Sequence, residues 1–125
     1  MTKRILVVED QEDNRRIIRD LLMSVGYELI EALDGAEGVR LAESERPDLI
    51  LMDIQLPVLD GHEATRRIKQ NPELNHIPVI VVTSYALSGD DQKAMAAGSD
   101  GYVAKPFSPR QLLATIRKLL PEAGG

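Results

Sequence analysis

The chain alternates between two hydrophobic textures. Short, almost wholly apolar runs recur at Ile5-Leu6-Val7-Val8, Leu49-Ile50-Leu51-Met52 and Val79-Ile80-Val81-Val82. Such runs predict strands buried on both faces of a parallel sheet. Two weaker strands are expected over Tyr27 to Ala32 and Gly101 to Ala104. Between them the apolar positions take helical spacing. Ile17, Ile18, Leu21, Leu22 and Val25 form one stripe, and Leu112, Leu113, Ile116, Leu119 and Leu120 form another.

Helix starts are marked as well. Asp34-Gly35-Ala36-Glu37, Asp60-Gly61-His62-Glu63 and Ser88-Gly89-Asp90-Asp91 each set a capping oxygen three residues before an acid, and Ser108-Pro109 puts proline at a first helical position. The order reads βαβαβαβαβα, which predicts an α/β fold, a five-stranded doubly wound parallel sheet with helices on both faces. One domain over residues 1–125 is expected, with no linker, no output domain and a frayed tail from Pro121 to Gly125. The fourth helix, about Asp90 to Ala97, offers only Ala94, Met95 and Ala97 as apolar anchors and is therefore expected to be the most weakly held.

Composition narrows the function. The 125 residues are 43% hydrophobic and 28% charged, ordinary values for a globular domain. There is no cysteine, which excludes disulfides and thiolate metal sites and is compatible with a cytoplasmic location. No apolar run approaches the ~20 residues of a membrane helix, and no signal peptide is read before the first strand. A net charge of −5 and only 3% aromatic residues argue against a nucleic-acid partner.

The chemistry gathers at strand ends. In an open α/β sheet, ligands bind beyond the carboxyl ends of the strands. Strand 1 ends in Glu9-Asp10, strand 3 in Asp53, strand 4 in Thr83 and strand 5 in Lys105-Pro106. Two unit charges ~5 Å apart repel by roughly 3 kcal/mol at an effective dielectric near 20, so three clustered carboxylates call for a counter-charge beyond Lys105. Mg²⁺ suits such a set, because it takes one or two carboxylates, retains waters and completes its shell with phosphate oxygens. Asp53 can then act as a carboxylate nucleophile that forms an acyl phosphate. Lys105 would pair with one phosphoryl oxygen, and Thr83 would donate to another.

The stretches Val7-Val8-Glu9-Asp10, Leu51-Met52-Asp53-Ile54-Gln55-Leu56-Pro57, Asp60-Gly61, Val82-Thr83-Ser84 and Tyr102-Val103-Ala104-Lys105-Pro106 together resemble a bacterial response-regulator receiver domain. The resemblance runs from Arg4 to Leu120. It implies the flavodoxin-like strand order 2-1-3-4-5. It further implies that Asp53 is the phosphoacceptor, charged by a sensor histidine kinase or a histidine phosphotransfer protein. Asp10, Asp53 and the Gln55 carbonyl would ligate Mg²⁺, with Glu9 acting through water. Thr83 and Tyr102 would form the switch pair, and the Lys105–Pro106 bond would be cis. The output would be a protein-binding face made by the fourth helix, the fifth strand and the last helix. Asn14 and Gln55 resemble the stand-alone cell-cycle and phosphorelay type.

Each residue also has a plainer explanation. Asp10 could cap the first helix, Asp53 could be a turn residue, Lys105 a solvated lysine, Thr83 a β-branched strand residue and Tyr102 a half-buried aromatic. Arg15, Arg16 and Arg19 lie off the apolar stripe and read as a solvated face, and His62 and His76 read as surface residues. A phosphatase of the haloacid dehalogenase type needs a second Asp where Gln55 stands, and a flavin carrier would find its phosphate repelled by Glu9-Asp10. Gln55 and Tyr85 each lie two residues beyond a site residue, so alternation places both at the rim. There Tyr85 would obstruct the hydrolytic water that Gln55 could orient. Alternatively, Tyr85 merely covers apolar surface.

Overall fold

A computed structural model describes residues 2–83, 98–105 and 108–120. Their elements are β1 (Arg4–Val8), α1 (Glu12–Ser24), β2 (Glu28–Ala32), α2 (Gly35–Glu45), β3 (Leu49–Asp53), α3 (Gly61–Gln70), β4 (Val79–Thr83), β5 (Gly101–Ala104) and α4 (Pro109–Leu119). The helix expected at Asp90 to Ala97, its cap at Ser88, and residues Ser84, Tyr85 and Pro106 lie outside the described residues, as does the tail.

All five strands pair in parallel, in the order β2-β1-β3-β4-β5. Every residue of β3 and β4 is buried, as their apolar runs require. Alternate side chains leave the sheet on opposite faces, and two cores result. Ile5, Val7, Leu49, Leu51 and Ile80 pack with Ile18 and Leu22 of α1 and with Leu112 and Ile116 of α4. Leu6, Val8, Ile50 and Met52 pack with Ala42 of α2 and with Ala64 and Ile68 of α3. No helix among the described residues is long and apolar enough to cross a membrane.

The predicted caps at Asp34, Asp60 and Ser108 form. Their side chains accept from the N–H groups of Glu37, Glu63 and Gln111 at 2.8, 3.0 and 3.0 Å. The α1 stripe is narrower than its spacing predicts, because Ile17 is 60% exposed while Ile18 and Leu22 carry the contact. Glycine is demanded where α3 begins. A Cβ on Gly61 would lie 2.0 Å from the Asp53 carbonyl oxygen, so only a residue without one lets α3 start against the end of β3.

Candidate functional site

The parallel ladder brings the chemistry-bearing residues to one rim. Glu9 follows β1, and its N–H donates to the Ala32 carbonyl at 3.0 Å, carrying the β1–β2 pairing one residue beyond the strand. Asp53 closes β3 opposite Val82, and Thr83 closes β4 opposite Ala104. Lys105 follows β5, with its N–H donating to the Thr83 carbonyl at 2.6 Å.

Glu9, Asp10 and Asp53 each place a carboxylate oxygen within 4.8 Å of the other two. Glu9 and Asp53 are buried, 2% and 7% exposed, and Thr83 is fully buried. The Lys105 ammonium donates to Glu9 Oε1 at 3.0 Å and to Asp53 Oδ2 at 3.4 Å. The Glu9 carboxylate also accepts the Gln11 N–H at 3.1 Å, and Asp53 Oδ1 accepts the Gln55 N–H at 3.3 Å. Gln55 is exposed, in the loop after β3. Within that loop, Val58 takes φ 69 beneath a 2.7 Å bond from the Leu59 N–H to the Pro57 carbonyl, a strained conformation for a β-branched residue. Tyr102 is half-buried on β5, opposite Val81, and packs against Val81 and Ile54.

Three carboxylates and one ammonium leave a formal charge of −2. The titration behaviour carries the same imbalance. Burial, and then the charge of Asp53, push the Glu9 carboxyl above its ordinary 4.5. Burial alone would lower Lys105, but the charge of Asp53 and the bond to Glu9 outweigh it and hold the ammonium above its ordinary 10.5. The donors are all carboxylate oxygens, without thiolate or imidazole, and two of the three are buried where water screens them poorly. That set fits a hard divalent cation.

Several plainer explanations do not survive the geometry. The N-cap of α1 is Gln11, with no side-chain capping bond, so Asp10 does not cap the helix. Lys105 is not a solvated lysine, since its side chain is only 19% exposed. Two readings of individual residues need correction. His62 is half-buried with both ring nitrogens shielded from water, and is not a surface residue. Arg15 is not on a solvated face either. Its side chain is 13% exposed and pairs with Glu31 at 3.4 Å, while its Nη1 donates to the Glu9 carbonyl at 2.9 Å. The sequence signal was Glu31 itself, an acid on the strand predicted beside β1. The Lys105–Pro106 bond and Tyr85 lie outside the described residues.

Known proteins resemble this chain in sequence and fold. The family model described as response regulator receiver domain matches residues 5–117. The polar-differentiation response regulator DivK of Brucella ovis is 45% identical over 123 residues, covering 98% of this chain and all of that protein. The receiver domain of sensor histidine kinase PA1611 from Pseudomonas aeruginosa PAO1, solved with a magnesium ion coordinated in its active site cleft, superposes with a TM-score of 0.91 at 39% identity, covering 98% of this chain and 100% of that one. The chemotaxis response regulator CheY4 of Vibrio cholerae gives a TM-score of 0.90 at 29% identity, over 96% of this chain and 100% of its own. The chain belongs to the response-regulator receiver domains.

Proposed function

We propose that Asp53 is the phosphoacceptor and that it takes its phosphoryl group from a phosphohistidine on a sensor histidine kinase or a histidine phosphotransfer protein. The observation that carries the reading is the rim itself, where Glu9, Asp10 and Asp53 crowd within 4.8 Å and Lys105 bridges two of them. An Asp53 carboxylate oxygen forms the new O–P bond as the donor N–P bond breaks, and the departing imidazole takes up a proton.

Glu9, Asp10 and Asp53, with the Gln55 carbonyl, are the proposed holders of Mg²⁺. Bound there, the cation supplies the positive charge that the carboxylates and the incoming phosphoryl oxygens lack. Lys105 exchanges its bond to Asp53 for one to a phosphoryl oxygen, and the Thr83 hydroxyl donates to another. Pulling Thr83 toward the phosphoryl group changes the space beside β5, and Tyr102 on that strand turns inward. This switch presents the β5 side of the molecule to an output protein and is a population shift between two packings. Gln55 and Tyr85 set the lifetime of the acyl phosphate, which the protein itself hydrolyses slowly. The site works in the cytoplasm, where its donors are found.

Phosphotransfer profiling tests the assignment. Labelled phosphohistidine donors should pass label to the wild type but not to Asp53→Asn, and the acquired label should be released by hydroxylamine, as expected of an acyl phosphate. Equal labelling of Asp53→Asn would overturn it.

A further inference from the structure

We infer that Arg15 is a positioning residue for the cation site, clasping the Glu9 main-chain carbonyl so that the next residue, Asp10, holds its carboxylate toward Asp53. The inference rests on the proposed cation site and adds to it a residue that touches neither cation nor phosphoryl group.

The guanidinium folds back over the start of α1. Its Nη1 donates to the Glu9 carbonyl at 2.9 Å, and its Nε lies 3.4 Å from Glu31 Oε1. The other oxygen of Glu31 lies 3.8 Å from Arg19 Nε. Glu31 stands on β2 opposite Val7, so one guanidinium ties β2, the end of β1 and α1 together. The Arg15 side chain is 13% exposed, against 61% for its neighbour Arg16. A cation withdrawn from water to that extent is held by its partners.

What the clasp controls follows from peptide geometry. The Glu9 carbonyl and the Asp10 N–H belong to one planar unit. The Glu9 N–H is fixed by the Ala32 carbonyl at 3.0 Å, and the Glu9 carbonyl is fixed by Arg15. With that unit held, and with the amide beyond Asp10 held by the Gln11 N–H donating to Glu9 Oε2 at 3.1 Å, the direction in which the Asp10 side chain leaves the backbone is set. Gln11 makes no side-chain capping bond, so the turn into α1 is ordered by Arg15 donating to the Glu9 carbonyl and by Glu9 Oε2 accepting the Gln11 N–H.

Charge and position predict opposite outcomes. Removing a positive charge near an acidic site strengthens cation binding if only the field matters. Removing a residue that orients a ligand weakens it, typically by about tenfold or more. Mn²⁺ affinity measured by electron paramagnetic resonance on the full chain separates the two. Arg15→Met should bind Mn²⁺ about tenfold more weakly than wild type. Arg15→Lys keeps the charge but cannot serve both the carbonyl and Glu31, and should fall between them. Affinity in Arg15→Met equal to or tighter than wild type would overturn the inference, including the case in which the variant is only less stable. Should Arg15→Met lack the wild-type circular dichroism, Arg15→Lys decides alone, and wild-type affinity in it would overturn the clasp. Absence of Mn²⁺ binding by the wild type would instead overturn the cation site and this inference with it.

Discussion

At the scale of single residues, the site is built from a mismatch of charge. Glu9 is the sharpest instance, since its carboxylate is buried beside Asp53 and its pKa is raised for that reason. A carboxyl with a raised folded pKa stabilises the fold fully below its unfolded value near 4.5, and this contribution is lost as pH rises through the folded value. Glu9→Gln escapes that loss. In EDTA its melting temperature relative to wild type should therefore be higher at pH 7 than at pH 4, and a pH-independent difference would refute the strain. Added Mg²⁺ should narrow or reverse the difference by binding the wild-type fold. Asp53 and Asp10 were legible in the sequence because parallel strands must deliver their carboxyl ends to one rim. Arg15 was not, because its contact depends on how far α1 is rotated over β2, and helical spacing fixes that only to within a residue. The same ambiguity put Ile17 in the apolar stripe although it is 60% exposed.

At the scale of elements, the strands were legible to within a residue, because β3 and β4 are buried throughout and apolar up to the Asp53 and Thr83 that close them. The caps of α2, α3 and α4 were legible because each needs a side-chain oxygen at a fixed offset. The close approach of α3 to β3 was not, since Gly61 also suits an ordinary capping sequence. That approach has a measurable consequence. Gly61→Ala would force a methyl group to within 2.0 Å of the Asp53 carbonyl oxygen, so backbone must shift beside the phosphoacceptor. The expected cost is about 3 kcal/mol in urea unfolding, with slower phosphorylation as well, and an unchanged unfolding midpoint would contradict the packing. Thr83, buried and paired with Ala104, is the proposed link from the rim to β5. Thr83→Ala should still accept phosphate while the amide shifts of residues 101–104 respond weakly. Wild-type shifts in that variant would break the link.

At the scale of the whole molecule, two apolar cores clamp the sheet between α1 and α4 on one face and α2 and α3 on the other, and the acidic cluster sits at the carboxyl rim. A receiver domain is a regulatory acceptor rather than a turnover enzyme, and this division suits the role. The cores hold the strand ends still while charge accumulates at one edge, where a phosphoryl group brings roughly −1.5 to −2 more. In the proposed function, this edge accepts the group on Asp53 with a divalent cation present. Intact mass spectrometry after incubation with acetyl phosphate tests it most directly, using wild type with Mg²⁺, wild type with EDTA, and Asp53→Asn with Mg²⁺. One added phosphoryl mass is expected in the first sample and none in the other two; equal modification in EDTA, or full modification of Asp53→Asn, would rule out cation-dependent transfer to Asp53.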